Sequence, residues 1–249
     1  MLEIMNLDVS IRQKKILFQT SLTLQEHALT VLIGKNGCGK STMISCIGGM
    51  RPYNGSILLD GQAIQAYSSR ERARRIAILP QMLQSPHITV ESLIQLGRTP
   101  HLSIGQRLGN EDIDAVENAL AATEMDPFRA HFLDNLSGGE RQKAYLTMIL
   151  AQNAPTLILD EPTTYMDVAV AHQFMTLLRS VAEKQKKTVL TVMHDLNLAL
   201  RFADRVAIMN EGRIVFHDTV KHCLATDIIE RTFGVMRYDI NGKCFFEGY

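Results

Sequence analysis

Apolar and polar positions alternate from the first residues: Leu2, Ile4, Leu7, Val9 and Ile11, then Ile16, Leu17, Phe18, Leu22 and Leu24, separated by the polar turn Arg12-Gln13-Lys14-Lys15. A period near two predicts a pair of antiparallel strands. The run Leu29-Thr30-Val31-Leu32-Ile33 reads as a buried strand, and Met43, Ile44 and Ile47 beyond it recur at helical spacing. Asn54-Gly55 predicts a turn before a strand at 56–59, which Asp60-Gly61 ends, and 76–79 predicts a short buried strand stopping at Pro80-Gln81. From there to about residue 153 no strand pattern is found. Ile113, Val116 and Leu120 make one apolar stripe and Leu146, Ile149 and Leu150 another, so this stretch reads as a helical insertion. After Pro155 strands and helices alternate again. A strand at 156–159 leads to a helix carrying Val170, Phe174, Leu177, Leu178 and Val181. Strand 188–193, a helix near 197–203, strands 206–209 and 214–216, and a hairpin turned at Asn241-Gly242 complete the chain. The expectation is a core of residues 1–84 and 154–249 with an insertion at 85–153.

Composition narrows the function classes. At 249 residues and 46% hydrophobic content the chain supplies a substantial core without staples. The 26 basic and 26 acidic residues cancel, so no global electrostatic footprint for nucleic acid exists. Arg70, Arg72, Arg74 and Arg75 lack interleaved aromatics and read as a solvated helix face. The four cysteines form no CxxC pair, and Met1-Leu2-Glu3-Ile4 lacks the plan of a signal peptide, which together favour a reducing cytoplasm. No apolar stretch approaches the roughly 20 residues that span a bilayer, so any membrane role is expected to pass through another chain.

The loop after the first buried strand carries the chemistry. Gly34-Lys35-Asn36-Gly37-Cys38-Gly39-Lys40-Ser41-Thr42 has the spacing Gly, four residues, Gly-Lys-Ser, between a strand and a helix. Glycines let the backbone amides turn inward as an anion nest at the positive end of a helix dipole. Lys40 adds charge for the outer phosphates, and the Ser41 hydroxyl suits magnesium. Asp160 and Glu161 end the strand at 156–159, where ligands of α/β sheets gather; Asp160 is assigned to magnesium and Glu161 to polarising the attacking water. Capping of the following helix is the structural alternative for this pair. His194, just past strand 188–193, is aimed at the same crevice as a γ-phosphate contact. Leu136-Ser137-Gly138-Gly139-Glu140 places a second serine- and glycine-rich helix start in the chain. Ser137 and Glu140 also make a capping box, but a cap does not require two glycines, whereas close approach to a phosphate does.

With these motifs in order, the chain resembles the nucleotide-binding subunit of an ATP-binding cassette (ABC) transporter over nearly its whole length. Residues 34–42 match the Walker A loop, Gln81 the glutamine loop, residues 136–140 the signature motif, Asp160 and Glu161 the Walker B end, Asp167 the aspartate loop and His194 the histidine switch. The resemblance implies an α/β P-loop NTPase core with an antiparallel β subdomain and a helical insertion. It implies ATP and Mg2+ as ligands, with Ser41, Asp160 and Gln81 around the metal and Asp167 at the nucleotide. It also implies a head-to-tail homodimer, in which the Lys40 loop of one copy is covered by Ser137-Gly138-Gly139 of the other, at the cytoplasmic face of the membrane. Integral permease subunits dock near Gln81, with an extracytoplasmic binding protein upstream, and no nucleic acid is involved. The strings Gly97-Arg98-Thr99-Pro100-His101, Thr163-Thr164-Tyr165-Met166-Asp167-Val168 and Met193-His194-Asp195-Leu196-Asn197-Leu198-Ala199 point to the branch importing iron chelates such as siderophores, with haem and cobalamin importers as near relatives. The rival reading is a soluble cassette ATPase of metal-cluster assembly.

Some positions depart from the family pattern. Ile11 stands where an aromatic residue usually stacks on adenine, which implies weaker base discrimination, roughly fivefold for about 1 kcal/mol. Lys143 replaces a common arginine, and His27-Ala28 a glycine turn. Cys38, close to a helix N-terminus, is expected to be more acidic than an ordinary thiol, or else simply to be a small tolerated side chain.

Overall fold

The chain opens with the antiparallel pair that its alternation predicts, β1 (Leu2–Ile11) and β2 (Lys14–Thr23), in a computed structural model that describes residues 1–164, 166–240 and 243–248. The turn between them sits on Arg12 and Gln13, at φ 47° and 68°. Next come β3 (Leu29–Gly34), α1 (Lys40–Ile47), β4 (Asn54–Leu59), β5 (Gln62–Ala63), α2 (Ser69–Arg75) and β6 (Ile76–Leu79). Helices α3 (Val90–Leu96), α4 (Asn110–Thr123) and α5 (Gly138–Ala151) follow, then β7 (Thr156–Asp160), α6 (Val168–Lys184), β8 (Thr188–Val192) and α7 (Leu196–Phe202). The chain finishes with β9 (Arg205–Asn210), β10 (Arg213–Thr219), α8 (Val220–Leu224), α9 (Ile228–Phe233), β11 (Val235–Ile240) and β12 (Lys243–Gly248). Two compact units result, Met1–Ala66 with Val181–Tyr249, and Tyr67–Ser180.

In the first unit an antiparallel sheet runs in the order β2-β1-β4-β5. The expected turn at Asn54-Gly55 is instead the start of β4, with Asn54 paired to Asp8. Gly55 is required there by close approach: at φ 100°, a Cβ on it would stand 2.4 Å from the Asn6 carbonyl oxygen. A second set of strands is parallel, β3 pairing with β8 on one side and β9 on the other, while β10 runs antiparallel to β9. Every residue of β3 and β8 is buried, the condition under which a strand loses its alternation. Short helices α8 and α9 escaped the sequence reading. Their signals are local, the Thr219 hydroxyl accepting from the His222 amide and Gly234 stopping α9 at φ 68°. The hairpin β11–β12 forms, but its expected turn at Asn241-Gly242 lies outside the described residues.

In the second unit β6 and β7 pair in parallel, Ile76 with Thr156 and Leu79 with Leu159. Between them the described residues form helices and no named strand. The residues 85–153 expected as an insertion all fall within this unit. Arg98 and Asp112 form a buried ion pair at 2.9 Å, and Arg98 Nη1 also donates to the Ala151 carbonyl at 2.7 Å, tying α3, α4 and α5 together. The α4 stripe is narrower than its spacing suggests: Val116 and Leu120 are buried, but Ile113 is 47% exposed. Helix α2 buries no side chain, as its arginines predict. Among the described residues no helix is long and apolar enough to cross a membrane.

Candidate functional site

In the first unit the loop 34–42 leaves the end of β3 and becomes α1. Gly39, immediately before the helix, takes φ 114°, and a Cβ there would meet Leu17 Cδ2 at 2.5 Å. No side chain caps α1, so its first amides carry no side-chain acceptor of their own. Lys40 is only 5% exposed, and its Nζ donates to the Gly34 carbonyl at 2.7 Å and the Lys35 carbonyl at 3.2 Å. The ammonium is thereby folded back onto the loop's own backbone. Lys35, Asn36, Gly37 and Ser41 are exposed, and Thr42 is half-buried. A buried cation, held by two backbone carbonyls, and a bare helix N-terminus suit an anion rather than a cation.

Cys38 corrects an expectation. Burial pushes its thiol up, and the Lys40 charge and nearby amides only partly oppose this, so the group is less acidic than an ordinary cysteine. Desolvation of the thiolate outweighs the helix terminus because the side chain is 7% exposed.

The exposed His194 follows β8, whose Val192 pairs in register with Leu32 of β3. Parallel strands end at the same edge, so His194 and the loop at Gly34 leave the sheet on the same side. Asp195 beside it caps α7, its Oδ1 accepting from the Leu198 amide at 2.9 Å.

The second unit repeats this edge geometry with β6 and β7. Leu79 and Leu159 are in register, so Gln81 and Glu161 emerge together, and Gln81 Nε2 donates to Glu161 Oε2 at 2.5 Å. Asp160, the last residue of β7, is 6% exposed. Glu161 takes φ 52°, an uncommon conformation for a residue with a side chain, and α6 starts only at Val168. The helix-capping alternative therefore belongs to Asp167, whose Oδ1 accepts from the Val170 amide at 2.9 Å, and not to Asp160 or Glu161. Tyr165 of the same string lies outside the described residues.

At the start of α5 the capping box is fully formed. Glu140 donates its amide to Ser137 Oγ at 3.3 Å, while Glu140 Oε2 accepts from the Ser137 amide at 2.9 Å and from its hydroxyl at 2.6 Å. The Ser137 hydrogen bonds hold the Glu140 carboxyl below the usual glutamate range. A cavity of about 340 Å3 is lined by Gln81, Met82, Gly138 and Arg141 among others. Arg141 and Tyr145, on the same helix, were not among the sequence candidates; their spacing of one turn was the available signal, without their partners. Another cavity, of about 450 Å3, adjoins Gly139, Lys143 and Phe174.

Against known proteins, the family model described as ABC transporter matches residues 17–164. The chain is 40% identical over 217 residues to the ferric enterobactin transport ATP-binding protein FepC of Escherichia coli (strain K12), covering 86% of this chain and 80% of that one. It is 37% identical over 217 residues to the iron(3+)-hydroxamate import ATP-binding protein FhuC of Bacillus subtilis (strain 168), covering 86% and 81%. Its fold is similar to the dimeric structure of MJ0796, a bacterial ABC transporter cassette, with a TM-score of 0.75 at 25% identity over 88% of this chain and 99% of that one.

Proposed function

The chain belongs to the ABC transporter family, and from that premise we propose that it is the ATP-hydrolysing subunit of an importer whose cargo is an iron chelate of the siderophore class. The observation that carries nucleotide binding is the start of α1, where an uncapped helix meets the buried Lys40 ammonium. That combination suits phosphate charge, since the helix start supplies amides that no side chain caps and the Lys40 ammonium stands beside it, to be drawn from the Gly34 and Lys35 carbonyls. The cargo rests on the printed functions of FepC and FhuC.

In this reading residues 34–42 hold the ATP phosphates, with Lys40 on the outer ones, and His194 contacts the γ-phosphate. Ser137, Gly138, Gly139 and Glu140 belong to the cover that a second copy of the chain lays over that nucleotide, and Asp167 is assigned to the nucleotide as the aspartate loop. Residues 85–153 are read as the helical insertion and the remainder as the core. The donors assigned to magnesium are the Ser41 hydroxyl, the Asp160 carboxylate and the Gln81 amide oxygen. All are hard oxygens, and Gln81 already spends its amide nitrogen on Glu161, so the set fits that ion. Held by these donors, magnesium would supply charge neutralisation at the phosphate oxygens. Glu161, oriented by Gln81, accepts a hydrogen bond from the attacking water and draws its proton away, which raises its nucleophilicity. Closure of two copies excludes water from the triphosphate, and hydrolysis releases them. That motion is passed to integral permease subunits at the cytoplasmic face, served by an extracytoplasmic binding protein.

Glu161→Gln tests the reading. ATP binding is retained, hydrolysis falls roughly 100- to 10,000-fold, and a stable ATP-loaded dimer elutes from size-exclusion chromatography. A fully active variant contradicts the role given to Glu161. Cells lacking the chain should lose ferric siderophore uptake and regain it from the wild-type chain alone; loss of haem or cobalamin uptake instead would reassign the cargo.

A further inference from the structure

The loop that follows Gln81 is fastened to the helix that begins at the signature segment. Arg141 forks between the two: Nη1 donates to Ser85 Oγ at 2.5 Å and Nη2 to the Leu136 carbonyl at 3.2 Å. One turn further along α5, the Tyr145 hydroxyl donates to the Gln84 carbonyl at 2.8 Å. His87 adds a third fastening to the segment leading into the motif, stacking on Phe132 with ring centroids 4.1 Å apart and planes 4° from parallel. Its Nδ1 also lies 2.8 Å from Asp134 Oδ2. At the loop's other end stands the Gln81 bond to Glu161, and Gln81, Gly138 and Arg141 share the wall of the 340 Å3 cavity.

A path thus runs along the backbone from Ser137 to Leu136, by hydrogen bonds through Arg141 to Ser85, back along the chain to Gln81, and by a hydrogen bond to Glu161. A flexible loop would let Gln81 drift independently of α5. A loop held at consecutive residues by a planar guanidinium and a phenol has to follow the helix. We propose that Arg141 is a positioning residue for hydrolysis: it couples the placement of the signature segment to the orientation of Gln81, and through it of Glu161, within one chain. In this role it acts through other residues and not on the nucleotide or the water directly. This inference rests on the roles assigned above to Glu161 and the signature segment. Its consequence is that a partner's ATP engaging Ser137 also sets the water-activating carboxylate of the same chain, so the two half-sites of a dimer fire in concert.

The test is steady-state ATP hydrolysis by the full-length chain. Arg141→Lys keeps the charge but cannot fork between Ser85 and Leu136, and kcat falls roughly tenfold while KM for ATP stays within about twofold, the signature of misplaced rather than missing groups. Ser85→Ala lowers kcat in the same sense, and combined with Arg141→Lys it adds little, because both remove one bond. Tyr145→Phe, which deletes only a hydroxyl, gives a smaller fall of the same kind and serves if Arg141→Lys does not fold. Wild-type kcat in folded Arg141→Lys or Tyr145→Phe, additive losses in the double variant, or a rise in KM without loss of kcat overturns the proposal. An active Glu161→Gln variant would instead sink the underlying assignment, whatever Arg141 does.

Discussion

Two helices in this chain begin with glycine and serine or lysine, and they begin in opposite ways. At α1 the residue before the helix is Gly39 in a left-handed conformation, no side chain caps the amides, and the nearby charge is the Lys40 ammonium. At α5 the residue before the helix is Ser137, the capping box is closed in both directions, and the nearby charge is the Glu140 carboxylate. The first start is ready for an anion; the second is occupied by the chain's own acid. On the proposed reading, a phosphate at α1 draws the Lys40 ammonium from the Gly34 and Lys35 carbonyls and meets no competing acid, whereas at α5 it must compete with Glu140 for the Ser137 hydroxyl and amide. If α5 is the second half-site of the proposed dimer, this predicts that it contributes only to a nucleotide already held elsewhere and brought to it.

The comparison breaks most directly at Lys40. Lys40→Ala removes the one buried cation of the loop, and ATP affinity measured by titration calorimetry should fall roughly 10- to 150-fold, the range for charge-assisted hydrogen bonds. Unchanged affinity would mean that α1 is not the prepared anion site. Glu140→Gln sharpens the contrast from the other side: it keeps a capping-box partner but removes the competing charge. ATP-driven dimerisation, followed in the Glu161→Gln background, should tighten by roughly two- to fivefold, as for a partly exposed helix-terminus charge. Weaker dimerisation would show that the carboxylate assists rather than competes. The sign with pH follows from the same bond. Because the Glu140 carboxyl is depressed by Ser137, its contribution to α5 is complete above the ordinary glutamate range and is lost as pH falls through the lower value.

The smallest effect concerns Cys38. Its raised thiol predicts slow alkylation near neutral pH that accelerates as pH rises, with ATP protecting. Rapid labelling at neutral pH would return the acidic thiol that the sequence suggested.

What the sequence made legible divides along the same line. The strand-loop-helix unit around residues 34–42 was readable because each of its parts is local: a buried strand, glycines at fixed offsets, a lysine and a helix. Asp160 and Glu161 were readable because a strand end fixes the edge at which they emerge. Asn54-Gly55 was misread because a turn dipeptide and a glycine demanded by the Asn6 carbonyl look the same in one dimension. Cys38 was misread because helix proximity is visible in sequence while burial is not. The Arg141 and Tyr145 contacts were invisible for a related reason: their partners at Ser85 and Gln84 are distant in sequence and meet them only in the folded unit.

The most direct measurement is a crystal structure of the Glu161→Gln chain with ATP and Mg2+. The account predicts a head-to-tail pair in which Ser137 Oγ of one copy, released from Glu140, lies within hydrogen-bonding distance of the γ-phosphate held by Lys40 of the other. A nucleotide-loaded structure with Ser137 still bonded to Glu140 and far from every terminal phosphate, in its own copy and in any neighbour, would contradict it.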